Sequence, residues 1–153
     1  MFLKVKTVIL DQLKTGSTPD KIAEAVVAGI LIGIFPVLGT TTLLAGLCGY
    51  LFKYNQIVIQ SVNYLVYPLQ IIMIPIYMKI VSLFFDVGNV PLRPDLVVAK
   101  FKESPKEFFQ LYGLVGLYSI LLWAIGAVVL FFILKPIIKS VINRLQSKKE
   151  TNI

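Results

Sequence analysis

The stretch IAEAVVAGILIGIFPVLGTTTLLAGLCGYLF, residues 22–52, decides the fold. It holds one acid, Glu24, and no base, and its apolar residues follow one another without a polar face to turn toward water. Lipid is the natural solvent for such a run. The run is nevertheless broken in its middle at Pro36-Val37-Leu38-Gly39-Thr40-Thr41-Thr42, where Pro36 and Gly39 flank a turn. Ile22 to Phe35 is 14 residues and Thr40 to Phe52 is 13. At 1.5 Å per residue each arm reaches about 20 Å, short of a hydrocarbon layer about 30 Å thick. These lengths predict a re-entrant helical hairpin over residues 19–53, with four short spans as the rival of the same parity.

Upstream of the hairpin, Lys4, Thr7, Asp11 and Lys14 recur on one side of a helix, and Phe2, Val5, Ile9 and Leu13 on another. Residues 1–15 are expected to form an amphipathic helix lying in the membrane interface. Gly16 ends it. Ser17-Thr18-Pro19-Asp20 then supplies a capping hydroxyl, a proline at the first helical position and an acid in the first turn, which together start a helix.

Downstream, Gln56 to Met78 is 23 residues, or roughly 34 Å as a helix, and residues 56–85 are expected to cross with kinks at Pro68 and Pro75. Residues 86–111 form the hydrophilic loop: Asp86 to Gln110 holds four basic and four acidic residues and three prolines. Ser104-Pro105-Lys106-Glu107 is a capping box ahead of the last crossing, residues 113–134, and Phe108, Phe109 and Tyr112 form an aromatic belt before it. A basic tail, residues 135–153, follows with Lys135, Lys139, Arg144, Lys148 and Lys149.

The composition agrees with a membrane solvent. Hydrophobic residues make up 57% and charged residues 15%, and mean hydropathy is +0.82, against roughly 45–50% apolar and about 25% charged in soluble domains. The net charge of +7 gathers at the two ends and is not interleaved with aromatics as in a nucleic-acid surface. Anionic lipid headgroups are therefore the expected partner, and no nucleic acid is. Basic residues at both ends place both termini on the cytoplasmic side, which requires an even number of crossings; the hairpin plus two spans satisfies that. Cys48 is alone and there is no histidine, so a disulfide framework, a thiolate metal site and Ser-His or Cys-His catalysis are excluded within one chain. No metal, no cofactor and no enzymatic activity is expected.

Candidate sites follow from polar groups inside the apolar segments. Gln56, Gln60, Asn63, Tyr67 and Gln70 are spaced 4, 3, 4 and 3, so five hydrogen-bonding side chains share one helical face. At membrane depth they need partners, supplied either by neighbouring helices or by a substrate path. Thr40, Thr41 and Thr42 begin a half-helix whose N–H groups and dipole suit an anion, or whose hydroxyls only satisfy the turn. Ala25, Gly29 and Gly33, and likewise Thr42 and Gly46, are spaced by four and offer small-residue faces for close helix approach. Equal arm lengths from a tip near Leu38 pair Glu24 with Lys53 at the hairpin mouth. Trp123 lies mid-span, where packing on another helix is expected. A five-residue polar face also predicts a homo-oligomer or a second membrane protein to close it.

The motif Gly16-Ser17-Thr18-Pro19, then Ile22-Ala23, Gly29, Gly33, Pro36 and Gly39, then Tyr54-Asn55 and Pro75-Ile76-Tyr77, resembles a widespread bacterial membrane family, domain of unknown function two-zero-six-two. The likeness covers about Gly16 to Phe85. The family's Asn-Pro pair is not matched, since Tyr67 precedes Pro68 and the nearest asparagine is Asn63. The resemblance implies an integral membrane protein and supplies no activity, substrate or catalytic residue. The expectation is thus an all-α protein of the bacterial inner membrane that binds or transports an amphiphilic or anionic, lipid-like substrate at Thr40, Thr41, Thr42, Gln60, Asn63, Tyr67 and Gln70. The alternative is a non-catalytic subunit or scaffold.

Overall fold

The computed structural model describes residues 2–14, 16–85 and 94–150; of the loop expected over residues 86–111, residues 86–93 lie outside the described residues. Among the described residues there are six helices and no strand: α1 (Phe2–Lys14), α2 (Pro19–Gly33), α3 (Thr41–Leu51), α4 (Gln56–Phe84), α5 (Pro94–Glu103) and α6 (Pro105–Glu150). The remainder of the expected loop is helical, in α5 and the start of α6. Two of them, α4 and most of α6, are long and apolar enough to cross a membrane. By contrast α2 and α3, with 15 and 11 residues, reach only about 22 and 16 Å.

Local chemistry sets the boundaries. Thr18 caps α2 by accepting the Lys21 N–H at 3.3 Å, with Pro19 and Asp20 in the first turn. Gly16 and Gly39 take φ of +95° and +80°, a conformation glycine adopts without strain, and so turn the chain before α2 and before α3. Asn55, named above only within the Tyr54-Asn55 motif, caps α4 by accepting from the N–H groups of Ile57 and Val58 at 3.1 Å each. Ser104 Oγ accepts from Glu107 N at 3.4 Å and opens α6. The prolines at 68, 75 and 136 sit inside continuous helices. Residues 135–150, expected as a tail, continue α6, because Pro136 removes one backbone bond while Ile142, 2% exposed, is anchored in the core.

α2 is the centre of the molecule, packed on α3, α4, α6 and α1. Ile22, Ala23, Ala25 and Val27 are fully buried, and with Ala45, Val58, Ile59, Val62 and Ile142 they form the core. The small residues of α2 face α4, not α3. A Cβ on Gly29 would lie 2.8 Å from the Ile59 carbonyl oxygen and 2.9 Å from Val62 Cβ, and one on Gly33 would lie 2.9 Å from Val66 Cβ. Gly46 of α3 likewise faces Gln60 of α4, at 3.7 Å. Both arms of the hairpin therefore close on α4, and α1 is tied there too, with Asn55 Nδ2 donating to Gln12 Oε1 at 2.6 Å. Ile9 of α1 is buried, and Val5, Val8 and Leu13 pack beside it.

Candidate functional site

The polar face of α4 is turned onto the hairpin. Gln56 Nε2 donates to the Gly46 carbonyl at 2.9 Å, and Gln60 Nε2 to the Thr42 carbonyl at 3.1 Å. Further along, Gln70, fully buried, donates to the carbonyls of Phe35 and Val37 at 2.8 and 3.2 Å. Gln70 serves carbonyls of the turn after α2, whereas Gln56 and Gln60 bond carbonyls within α3 and tie that helix to α4. The donors are thereby committed, while three buried oxygens, Gln60 Oε1, Asn63 Oδ1 and Gln70 Oε1, have no hydrogen-bond partner. Asn63 is 2% exposed, whereas Tyr67 is 44% exposed.

At the turn, Thr40 Oγ1 donates back to the Val37 carbonyl at 2.9 Å, so α3 starts without a side-chain cap. Thr41 is buried and Thr42 exposed. The structure thus brings Thr40, Thr42, Gln60 and Gln70 to the hairpin and leaves Tyr67 apart. A residue not on that face completes the group: Trp123 of α6 donates its indole N–H to the Leu31 carbonyl at 2.8 Å and meets the Phe35 ring edge-on at 4.7 Å. Among the described residues, the end of α2 and its turn are held from both sides, by Gln70 and by Trp123.

The mouth of the hairpin carries charge. Glu24 pairs with Lys21 at 2.9 Å and with Lys135 at 2.8 Å; Asp20 pairs with Lys139 at 2.8 Å and Lys135 at 3.3 Å. Lys139, then Lys135, hold the Asp20 carboxyl below its ordinary pKa. This corrects the expected Glu24–Lys53 pair. Lys53 is exposed at the end of α3 with φ of 55°, its chain direction set by the turn into Tyr54, and the extended α6 delivers Lys135 to Glu24 instead. A sequence signal for this existed only in retrospect, as basic residues one turn apart at 135 and 139.

Open space lies on the opposite side, along α6. Three apolar clefts of about 270, 200 and 170 Å³ follow one another from the hairpin mouth toward Tyr112. The first, between Phe52, Tyr54 and Phe131, shares Leu31, Trp123 and Ala127 with the second. The third begins one turn further along, at Ser119. Their α6 walls include Tyr112, Gly116, Ser119, Trp123, Gly126 and Leu130, spaced 4, 3, 4, 3 and 4, which is one helical face. A Cβ on Gly116 or Gly126 would meet nothing within 4 Å. Among the described residues no group of acids, cysteines or histidines could hold a metal ion.

Fold and composition define an all-helical protein with two helices able to cross a membrane. The chain belongs to a family described as "uncharacterized protein conserved in bacteria (DUF2062)", which it matches over residues 4–150. Neither a curated protein nor a solved structure matches it significantly.

Proposed function

We propose that this chain is a bacterial inner-membrane protein, with α4 and α6 spanning, α2–α3 a re-entrant hairpin and both ends cytoplasmic, that binds an anionic amphiphile and lets it move along the α6 face. The row of three clefts carries this reading. From Tyr112 to Phe132 it follows 20 residues of helix, about 30 Å, which is the thickness of the hydrocarbon layer. Its walls are aliphatic and aromatic, and suit an acyl or isoprenoid chain. At the cytoplasmic mouth, three lysines stand against two carboxylates, a surplus that favours an anionic headgroup.

The hairpin tip then has a supporting role. Backbone oxygens at membrane depth must be satisfied internally, and Gln70, Thr40 and Trp123 do that for Leu31, Phe35 and Val37. Trp123, at the junction of the first two clefts, divides the row near its middle.

The test uses protein reconstituted into phosphatidylglycerol–phosphatidylcholine vesicles, with fluorescent phosphatidylglycerol in both leaflets and a membrane-impermeant quencher outside. Protein should raise the quenched fraction above the outer-leaflet share, and Ala127→Phe or Gly116→Phe, each filling a cleft, should abolish the rise. A quenched fraction equal to that of protein-free vesicles would overturn the proposal.

A second reading, a self-associating membrane subunit, rests on a different observation. Tyr64 and Tyr67 are 52% and 44% exposed on one face of α4, and phenol hydroxyls facing lipid favour a protein partner. Mass measurement in native nanodiscs separates the two, since this reading requires a dimer or larger and the first does not.

A further inference from the structure

A fourth cleft, about 530 Å³, lies on the other side of α2, between α1, α2, α4 and α6. It shares no wall residue with the clefts along the α6 face. We infer that it is a site for one resident anionic phospholipid of the cytoplasmic leaflet, with an acyl chain in the cleft and the phosphate at Lys6 and Arg144.

The walls dictate the tail. They are aliphatic from Ile9 and Ile30 to Leu69 and Leu145, with Lys6 the one charged residue among them. A space of this size lined by hydrocarbon stays dry, and in a bilayer the hydrocarbon at hand to fill it is a lipid chain. The head is dictated by the charge that remains unpaired. Among the described residues near this end, Asp20 is engaged by Lys139 and Lys135, and Glu24 by Lys21 and Lys135. Lys6 is exposed and forms no ion pair, and neither does Arg144, which borders a neighbouring recess that shares Val141 with the cleft. Two cations on separate helices, Lys6 of α1 on the cleft wall and Arg144 of α6 on the recess beside it, thus lack counter-charge, and a lipid phosphate supplies it.

The lipid would also explain how α1 is held. Its fixed points are the Gln12–Asn55 hydrogen bond and the packing of Ile9 in the core, while its Val5 and Lys6 end borders open space. A chain in the cleft would complete the contact of that end with α4 and α6.

Native mass spectrometry of the full chain, released from mild detergent with added phosphatidylglycerol or phosphatidylcholine of equal chain length, or with oleate, tests this. One phosphatidylglycerol per chain should be retained in preference to the other two. Lys6→Gln with Arg144→Gln should weaken its retention about tenfold or more while leaving the protein folded, since each basic contact is worth about 1 kcal/mol. Leu69→Trp with Leu145→Trp, at partly exposed ends of the cleft, should remove it by volume. Equal retention of the two phospholipids, a preference for oleate, or retention unchanged in both double variants would overturn the inference. The vesicle assay above reads a different cleft, so these variants should leave lipid movement intact, and a null movement result leaves this site standing.

Discussion

The two long helices can both cross a membrane by length and hydropathy, yet they have opposite relations to the rest of the chain. α4 buries Val58, Ile59, Val62, Asn63, Gln70, Tyr77 and Val81 against its neighbours, and its amides tie down the hairpin. α6 is the more hydrophobic, with mean hydropathy of 2.6 against 1.6 over the best window, yet only 6% of that window is buried against 28% for α4. Hydropathy therefore reports the solvent of a helix and not its role. α4 is the mast on which α1, α2 and α3 are fixed; α6 also packs extensively on α2, with Trp123 and Lys135 bonded to it and Ile142 in the core, yet leaves gaps along the same face.

The sharpest way to break that contrast is to add the same kind of atom to each seam. Gly29→Leu drives a side chain into the Ile59 carbonyl and Val62, where even a Cβ lies at 2.8–2.9 Å, so destabilisation at or beyond the top of the roughly 1–3 kcal/mol range for overpacking is expected. Gly126→Ala meets nothing within 4 Å and should raise stability by about 0.5–1 kcal/mol through helix propensity alone. Unfolding in mild detergent, followed by circular dichroism, measures both; equal effects of the two would end the distinction between a closed α2–α4 seam and an open α6 face.

Next in size come the hydrogen bonds to the hairpin turn. Gln70→Leu keeps the volume but removes the donor to the buried Phe35 carbonyl, an expected loss of about 1–3 kcal/mol. Trp123→Phe removes the donor to Leu31 at a half-buried position, for about 0.5–1.5 kcal/mol. Hydrogen exchange at residues 34–40 should quicken more in the first variant than in the second; the reverse order would mean that α6, not α4, holds the turn.

The charge cluster at the mouth gives a smaller effect. A double-mutant cycle on Glu24→Gln and Lys135→Met should show measurable, salt-dependent coupling, for a pair 2.8 Å apart with side chains 15% and 29% exposed. The same cycle with Lys53→Met in place of the Lys135 variant should show none. Coupling through Lys53 would restore the pairing that equal hairpin arms suggest.

How much of this was legible in the sequence depends on the range of the interaction. The Thr18-Pro19-Asp20 start, the break at Pro36 to Gly39 and the opening at Ser104 are local signals, and the helices begin and end near them. The spacing of Gly29 and Gly33 announced a close contact but not its partner, which proves to be α4, as it is for Gly46 of α3. The amide stripe was visible because a polar residue is conspicuous in an apolar run. What it touches was not, since Gln70 reaches back 35 residues to Phe35. Lys135 was hidden because the crossing was taken to end at Leu134 and residues 135–153 to be a tail, whereas the helix runs on through Pro136, whose missing backbone bond core packing elsewhere can offset. The clefts along α6 had no signal beyond Gly116, Gly126 and Ala127, because voids result from how faces fail to meet.

The smallest expected effect, and the one that probes the α6 side alone, is the response to acid. Asp20 has its carboxyl pKa lowered below the ordinary 3.8 by Lys139 first and Lys135 second. A folded-state pKa below the unfolded one means that the contribution is fully present above about pH 4 and fades as pH falls through the folded value. Stability between pH 5 and 8 should then be flat with respect to this group, with a loss setting in only under more acidic conditions. Both Asp20 oxygens face partly exposed lysines, so salt screens the attraction and the acid limb should shrink as ionic strength rises. Asp20→Asn should lower stability slightly at pH 7, to the level that the unaltered protein reaches in acid, and should flatten that part of the limb. Thermal unfolding from pH 3 to 8 in detergent, at low and high salt, measures this. If Asp20→Asn leaves both the plateau and the limb unchanged, the α2–α6 contact does not depend on Asp20, and the cover of the hairpin rests on Trp123 and the Glu24–Lys135 pair.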